Sequence, residues 1–248
     1  MARYIVVKSQ VWLLGGEYKF TFPGLVEFMF VKNFLWRIIL VLILFAPFIL
    51  PVSALSMPAD NRLFGYREVP QNGMEYLPQW LSVLERHLLQ DVPEGNCHDR
   101  FFNRCHLKNW YKFLDSIRGL SRRQQLDKVN HYANNKNYVL DISNYGMEDY
   151  WAIVKEFLSN GGDCEDYAIT KFFSLRWLGF KNQDLRIVIL QDANLRIPHA
   201  ILAVFCQESV LIMDNQAQEV VPQGSIAHYI PLYSVNEQEW WLHLPPGM

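Results

Sequence analysis

Residues 160–168 read NGGDCEDYA, and this junction between a loop and a helix decides the fold of the chain. The first four residues are typical of a loop, because glycine, asparagine and aspartate favour turns. Side chains then recur at helical spacing on one face until Gly179 ends the pattern: Cys164, Ala168, Phe172, Leu175 and Leu178. The junction therefore predicts a buried helix over residues 164–178, with Cys164 near its first turn.

The position of Cys164 is typical of a nucleophile. A thiol at a helix N-terminus is close to the positive end of the helix dipole and to unpaired N–H groups, which favour the thiolate. A nucleophile also needs a base and a group that orients the base. His199 follows Pro198 at the start of one predicted strand, and Asp214 closes the next, so a hairpin would place both at the same end of neighbouring strands.

We therefore predict a triad of Cys164, His199 and Asp214. The alternative is structural, since a histidine at a strand start and an aspartate before a turn are also ordinary choices.

Three carboxylates surround the thiol: Asp163, Glu165 and Asp166. Acidic residues at a helix start are favoured by the dipole, which is the structural interpretation. They should also raise the pKa of the thiol and oppose its activation, and a bound divalent cation would cancel that effect. Oxygen ligands favour calcium or magnesium, and a location outside the cytoplasm favours calcium. We predict a calcium site that includes Asp163 and Glu165.

The periodicity of the chain changes after this helix. Helical patterns precede it over residues 79–90 and 107–117, and a capping box at Ser121 and Gln124 predicts a third helix that runs toward Asn134. Short apolar runs follow it and predict strands of one antiparallel sheet: residues 185–190, 199–206, 210–213 and 229–235. N-terminal helices followed by an antiparallel sheet predict an α+β fold.

The N-terminal part is typical of an export signal. Residues 38–59 are 22 consecutive uncharged positions, preceded by Lys32 and Arg37 and containing the small-residue sequence VSA at 52–54. We interpret residues 1–54 as an N-terminal extension and a signal peptide cut after Ala54, with Met29 as a candidate true start. An uncleaved anchor helix is the alternative, which Pro47 and Pro51 disfavour. Either arrangement sends residues 55–248 out of the cytoplasm as a single domain.

The composition of residues 55–248 bears on the partners and the cysteine chemistry that we expect. They hold 18 basic and 23 acidic residues, a net charge of −5, which gives no reason to expect nucleic acid as a partner. Outside the cytoplasm, Cys97 and Cys105 most simply form a disulfide, with free thiols or a zinc site as alternatives. Cys206 ends an apolar strand, where we expect a small buried thiol.

Three motifs together carry a resemblance to a known family. They are DYWAIVKEFLSNGGDCEDYAITK at 149–171, PHAILAV at 198–204 and IMDN at 212–215. Over about residues 121–241 the chain resembles the bacterial transglutaminase-like cysteine proteinases of the LapG type. The resemblance implies a papain-like, transglutaminase-like fold with Cys164 as nucleophile, His199 as general base and Asp214 as its orienting group. It also implies that Asp163 and Glu165 bind calcium.

The resemblance further implies a biological role. It indicates a periplasmic, calcium-dependent endopeptidase that cleaves the N-terminal region of a large surface adhesin at an Ala-Ala-like site, so that the adhesin is released and biofilm attachment is controlled. An inner-membrane cyclic di-GMP receptor of the LapD type is the second implied partner. The N-terminal 120 residues do not match the family pattern. The alternatives are an acyltransferase or transglutaminase with the same thioester chemistry, and a catalytically inactive module that docks on a receptor.

Overall fold

The computed structural model describes residues 62–89, 105–206 and 209–247, all within the compact unit Ser56–Met248. The predicted signal segment, residues 1–54, and Cys97 lie outside the described residues. No helix in the described part of the chain is long and apolar enough to cross a membrane.

Six α-helices are present in the described residues: α1 (Pro78–Leu88), α2 (His106–Ile117), α3 (Arg122–Asn134), α4 (Asp141–Asn144), α5 (Val154–Asn160) and α6 (Cys164–Trp177). The four longer ones, α1, α2, α3 and α6, confirm the helices predicted from periodicity. The capping box of α3 is also confirmed, since the backbone N–H of Gln124 donates to Ser121 Oγ and the backbone N–H of Ser121 donates to Gln124 Oε1 at 3.1 Å.

The strands of the described residues form one antiparallel sheet in the order β1-β7-β6-β2-β3-β4-β5. Their bounds are β1 (Arg67–Gln71), β2 (Leu185–Asp192), β3 (Ile197–Phe205), β4 (Val210–Met213), β5 (Val221–Pro222), β6 (Tyr229–Val235) and β7 (Trp240–Leu244). The predicted α+β class is confirmed, and four of these strands, β2, β3, β4 and β6, were predicted. The first strand precedes the helices and pairs with the last at the sheet edge, where Pro70 removes no central hydrogen bond.

Helix α6 is the centre of the molecule. It packs on β2 and β3 on one side and on α3 and α5 on the other. Every residue from Glu165 to Leu175 is buried, which confirms the predicted buried helix and shows that it is covered on all sides, beyond the apolar face on which the prediction rested. Phe172 of this helix is a fully buried aromatic side chain, as are Trp80, Trp110 and Phe157 of the neighbouring helices. Each buried phenylalanine of this kind stabilises the fold by about 1.5–3 kcal/mol. The start of α6 is therefore rigidly fixed against the sheet.

The predicted role of Cys206 as a buried filler is wrong. Its thiol is free and exposed, because β3 ends one residue earlier and the chain leaves the core there. Cys105 is buried and disulfide-bonded. The other cysteine predicted for that bond, Cys97, lies outside the described residues.

Candidate active site

Two glycines bring the loop before α6 close to a neighbouring segment. The backbone N–H of Gly162 donates to Asn137 O at 3.3 Å, and Gly162 O accepts from Val139 N at 2.9 Å. Gly161 has a φ of 77°, a conformation that favours glycine, and a Cβ on Gly162 would collide with the Asp166 carboxylate. The two glycines therefore allow the 137–139 segment and the Asp166 side chain to approach the helix start.

Cys164 is the first residue of α6, as predicted. Its thiol donates to Glu165 Oε2 at 3.3 Å. Burial raises the pKa of this thiol above its ordinary range, and the charges of Glu165 and Asp163 raise it further. A hydrogen bond from the backbone of Ala200, the residue that follows His199 on β3, partly offsets these effects. Two of the three predicted carboxylates, Glu165 and Asp163, thus act in the predicted direction, and burial is the larger cause.

His199 and Asp214 form a buried pair at the other end of the site. His199 Nε2 lies 3.0 Å from Asp214 Oδ1, and both side chains are almost completely buried. The pairing of Leu202 with Met213 between β3 and β4 brings the start of one strand beside the end of the other. The predicted proximity of His199 and Asp214 is therefore confirmed.

Further donors surround Asp214. The Tyr229 hydroxyl donates to Oδ2 at 2.5 Å, and the backbone N–H of Gln216 donates to Oδ1 at 2.9 Å. Burial alone would raise the pKa of Asp214, but these hydrogen bonds and the interaction with His199 outweigh it and lower the pKa below its ordinary value. Asp214 is thus held as a carboxylate. Tyr229 was not predicted from the sequence, because a tyrosine that opens a strand carries no sign of its partner.

The structure joins the three predicted catalytic residues only in part. His199 uses Nε2 toward Asp214, which leaves Nδ1 as the ring nitrogen for another partner. Among the described residues, no hydrogen bond links the Cys164 thiol to His199, because the thiol donates to Glu165. The catalytic roles of the three residues remain predictions.

Carboxylates gather beside Cys164 in a larger cluster than the sequence predicted. Two overlapping groups bring ligand atoms within 4.8 Å of one another: Asp141, Asp149 and Glu165, and Asp141, Asp163 and Asp166. The predicted ligands Asp163 and Glu165 both belong to this acidic cluster. Asp141 and Asp149 were missed, because only the pairing of the 137–139 segment with Gly162 brings Asp141 to the junction.

The acidic cluster fits a hard divalent cation. Asp141 Oδ1 and Asp163 Oδ1 are buried without a hydrogen-bond partner. No lysine or arginine of the described residues forms a salt bridge with the cluster. Burial, followed by the charge of Asp163, raises the pKa of Glu165 to about 10, and burial raises the pKa of Asp141 to about 6. Unpaired, buried oxygen ligands of one charge sign are what calcium or magnesium prefers.

Comparisons with known proteins identify a family and similar solved structures. The sequence model of the bacterial transglutaminase-like cysteine proteinases matches residues 97–247. A solved structure of Legionella pneumophila LapG is 31% identical over 55% of this chain and 76% of that chain, with a TM-score of 0.51. The calcium-bound form is 27% identical over 65% of this chain and 86% of that chain, with a TM-score of 0.52. The EGTA-treated form is 27% identical over 73% and 90%, with a TM-score of 0.54. No curated protein sequence matches this chain.

Proposed function

The chain belongs to the bacterial transglutaminase-like cysteine proteinases and is a cysteine peptidase, and we propose that Cys164, His199 and Asp214 are its catalytic triad. The observation that carries the proposal is the buried His199–Asp214 pair, which is joined by a 3.0 Å hydrogen bond. The next residue along β3, Ala200, donates a backbone hydrogen bond to the Cys164 thiol. A free thiol at the N-terminus of a helix, an imidazole and an orienting carboxylate are the three groups that thioester chemistry requires.

The proposed reaction proceeds through an acyl-enzyme. The Cys164 sulfur attacks the carbonyl carbon of the scissile peptide bond, and His199 takes the thiol proton and gives it to the departing amine. Water then hydrolyses the thioester with His199 as general base. Asp214 accepts from Nε2 and so holds Nδ1 as the nitrogen that exchanges protons with the thiol. The backbone N–H of Cys164 at the helix start is the proposed oxyanion donor.

Calcium is the proposed metal of the acidic cluster. Asp141, Asp163 and Glu165 are the proposed ligands, with Asp149 and Asp166 as the other members of the two groups. A bound Ca²⁺ would neutralise the carboxylates that raise the pKa of the thiol. The existence of calcium-bound and EGTA-treated forms of the similar LapG supports this choice of metal.

The family resemblance extends the proposal to substrate, partner and location. The proposed substrate is the N-terminal region of a large surface adhesin, cut at an Ala-Ala-like site, and the proposed effect is release of the adhesin and control of biofilm attachment. The proposed regulator is an inner-membrane cyclic di-GMP receptor of the LapD type. The proposed location is the periplasm, reached through the signal segment within residues 1–54. A disulfide at Cys105 supports an oxidising compartment.

Cleavage of an adhesin N-terminal segment by the purified protein tests the proposal. We expect cleavage in calcium, loss of cleavage in EGTA, and recovery when calcium is restored. Cys164→Ala should abolish cleavage, whereas Cys206→Ala, which removes the other free thiol among the described residues, should leave it unchanged.

Each alternative has its own outcome in this assay. Cleavage by Cys164→Ala would refute the proposed nucleophile, and equal cleavage in EGTA would refute the calcium requirement. Incorporation of a labelled amine into the substrate in place of hydrolysis would identify an acyltransferase. Binding of the segment without any reaction would identify a docking module.

A further inference from the structure

The loop that carries Asp149 is held from outside by α1. Arg86 Nη1 donates to Glu156 Oε2 at 2.6 Å and to the Tyr150 hydroxyl at 2.8 Å, and Nη2 donates to Trp151 O at 2.5 Å. The guanidinium carbon also lies 4.8 Å from the centre of the Tyr150 ring. The Arg86 side chain thus contacts the loop at the Tyr150 side chain and at the Trp151 carbonyl, and it also binds Glu156 in the first turn of α5.

The same loop binds the acidic cluster from inside. The backbone N–H of Tyr150 donates to Asp141 Oδ2 and that of Ala152 donates to Asp166 Oδ1, each at 2.6 Å. Residues 149–152 therefore lie between Arg86 and the carboxylates, and their backbone sets the orientation of two members of the cluster.

Asp149 is fixed by the same arrangement. Its Oδ2 accepts from Gln79 Nε2 and its Oδ1 accepts from the Trp151 indole N–H, both at 3.1 Å. Gln79 is on α1, as Arg86 is. The helix α1 therefore contacts a cluster carboxylate directly and contacts the loop around it through Arg86. It lies before the residues that the family model matches, which begin at residue 97.

We propose that Arg86 is a positioning residue for the calcium site. It fixes residues 149–152, so that Asp149, Asp141 and Asp166 are oriented before the cation binds. The inference rests on the proposed function, because it assigns a role toward the calcium proposed there. The positive charge of Arg86 is paired with Glu156, so its contribution is the geometry of the planar guanidinium and not its charge. Partners of this kind around metal ligands commonly alter metal affinity by about 10–100-fold.

Calcium titration of Arg86→Met by calorimetry tests the inference. We expect the Kd for Ca²⁺ to rise about tenfold or more. Arg86→Lys should not restore it, because an ammonium cannot make the same set of planar contacts. At saturating calcium the variant should regain cleavage, since no catalytic group has changed.

Arg176→Met is a matched control. Arg176 pairs with Glu237 at 3.0 Å and donates to Phe180 O at 2.7 Å, and the exposed fractions of that pair, 31% and 27%, match the 27% and 29% of Arg86 and Glu156. It lies in the last turn of α6, at the opposite end from Cys164. Both methionine variants should lower the melting temperature, but only Arg86→Met should raise the Kd for Ca²⁺.

A second variant keeps the test decisive if Arg86→Met does not fold. Tyr150→Phe removes only the hydroxyl, which accepts from Arg86 and donates to Glu156 Oε1 at 3.1 Å. We expect a rise in Kd of roughly threefold, smaller than that expected for the whole guanidinium. An unchanged Kd in every variant that folds would overturn the role of Arg86 while leaving the calcium site in place. Absence of calcium binding by the unmodified protein would overturn the calcium site and this inference with it.

Discussion

Two regions of buried carboxylate contribute to the site, and their electrostatics are opposite. At the sheet end, both oxygens of Asp214 accept hydrogen bonds and its pKa is lowered. In the acidic cluster at the helix start, Asp141 and Asp163 each keep a buried oxygen without a partner, and burial raises the pKa of both. Groups of the polypeptide alone thus satisfy the carboxylate at the sheet end. Among the described residues no lysine or arginine forms a salt bridge with the second region, so the proposed cation belongs to the helix start and not to the sheet end.

The largest expected effect is at the completed region. Asp214→Asn should lower kcat/KM by about 10⁴-fold, because an amide can no longer accept from His199 as a carboxylate does and the tautomer is lost. The Kd for Ca²⁺ should stay at the unmodified value, since Asp214 is outside the acidic cluster. Peptidase assays at saturating calcium and calorimetric titration check both. A loss of calcium affinity in this variant would contradict the separation of the two regions.

The next effect in size is that of calcium on stability. Free Ca²⁺ at 100 times its Kd should raise the free energy of unfolding by about 2.7 kcal/mol. Chemical denaturation with calcium and with EGTA measures this difference. Asp214→Asn should keep the full increment, whereas Asp163→Asn should lose most of it. An equal increment in both variants would mean that the cation binds elsewhere.

Part of the fold was open to prediction because its signals are local. A glycine-rich loop followed by helical spacing predicted α6, and short apolar runs predicted β2, β3 and β4. Strand β1 was missed because its partner in the sheet is β7, which lies more than 160 residues further along the chain. The burial of α6 was predicted from its apolar face, but the burial of its polar side chains has no local signal in the sequence. Burial lowers the pKa of Lys171, one of these side chains, to about 7.

The residues of the site differ in the same way: some have local signals in the sequence and others do not. Cys164, His199 and Asp214 each stand at the end of a locally predictable element, so their positions followed from element order. Asp141 belongs to a single turn of helix without periodicity, and its approach to the junction depends on long-range backbone pairing. The sequence could therefore predict that carboxylates surround the thiol, but not how many complete the acidic cluster.

Tyr229→Phe should have a smaller effect at the sheet end. Loss of one hydrogen bond to a carboxylate should lower stability by about 1.5 kcal/mol at neutral pH. The lowered pKa of Asp214 contributes stability that is present above its ordinary pKa and lost as pH falls through the lowered value. Without the Tyr229 hydroxyl this pKa rises, so acid unfolding should begin at higher pH. Denaturation curves between about pH 2 and pH 7 measure the shift.

Tyr167→Phe is the control for this effect. It removes a 2.7 Å hydrogen bond from a hydroxyl to a neutral acceptor, Lys136 O. It should therefore lower the free energy of unfolding by a similar amount at every pH, whereas Tyr229→Phe should also change its pH dependence. An equal change of pH dependence in both variants would show that Tyr229 does not act through the Asp214 carboxylate.

The smallest expected effect is the change in stability caused by replacing a carboxylate with an amide in EGTA, and its sign should differ between the two regions. In EGTA, Asp141→Asn should stabilise the protein by about 1 kcal/mol, because the amide removes a charge from among the carboxylates and can donate to one of them. The pKa of Asp141 is raised to about 6, so its ionisation should lower the stability of the unmodified protein as pH rises from 4 through 6 in EGTA. The pKa values of Asp163 and Glu165 are raised as well, so the variant should still lose stability over this range, but less of it. In calcium the substitution should destabilise, since a proposed ligand is lost. The corresponding change at Asp214 should destabilise under both conditions, because its carboxylate is already satisfied by the chain. Destabilisation by Asp141→Asn in EGTA would mean that the acidic cluster, too, is complete without a cation.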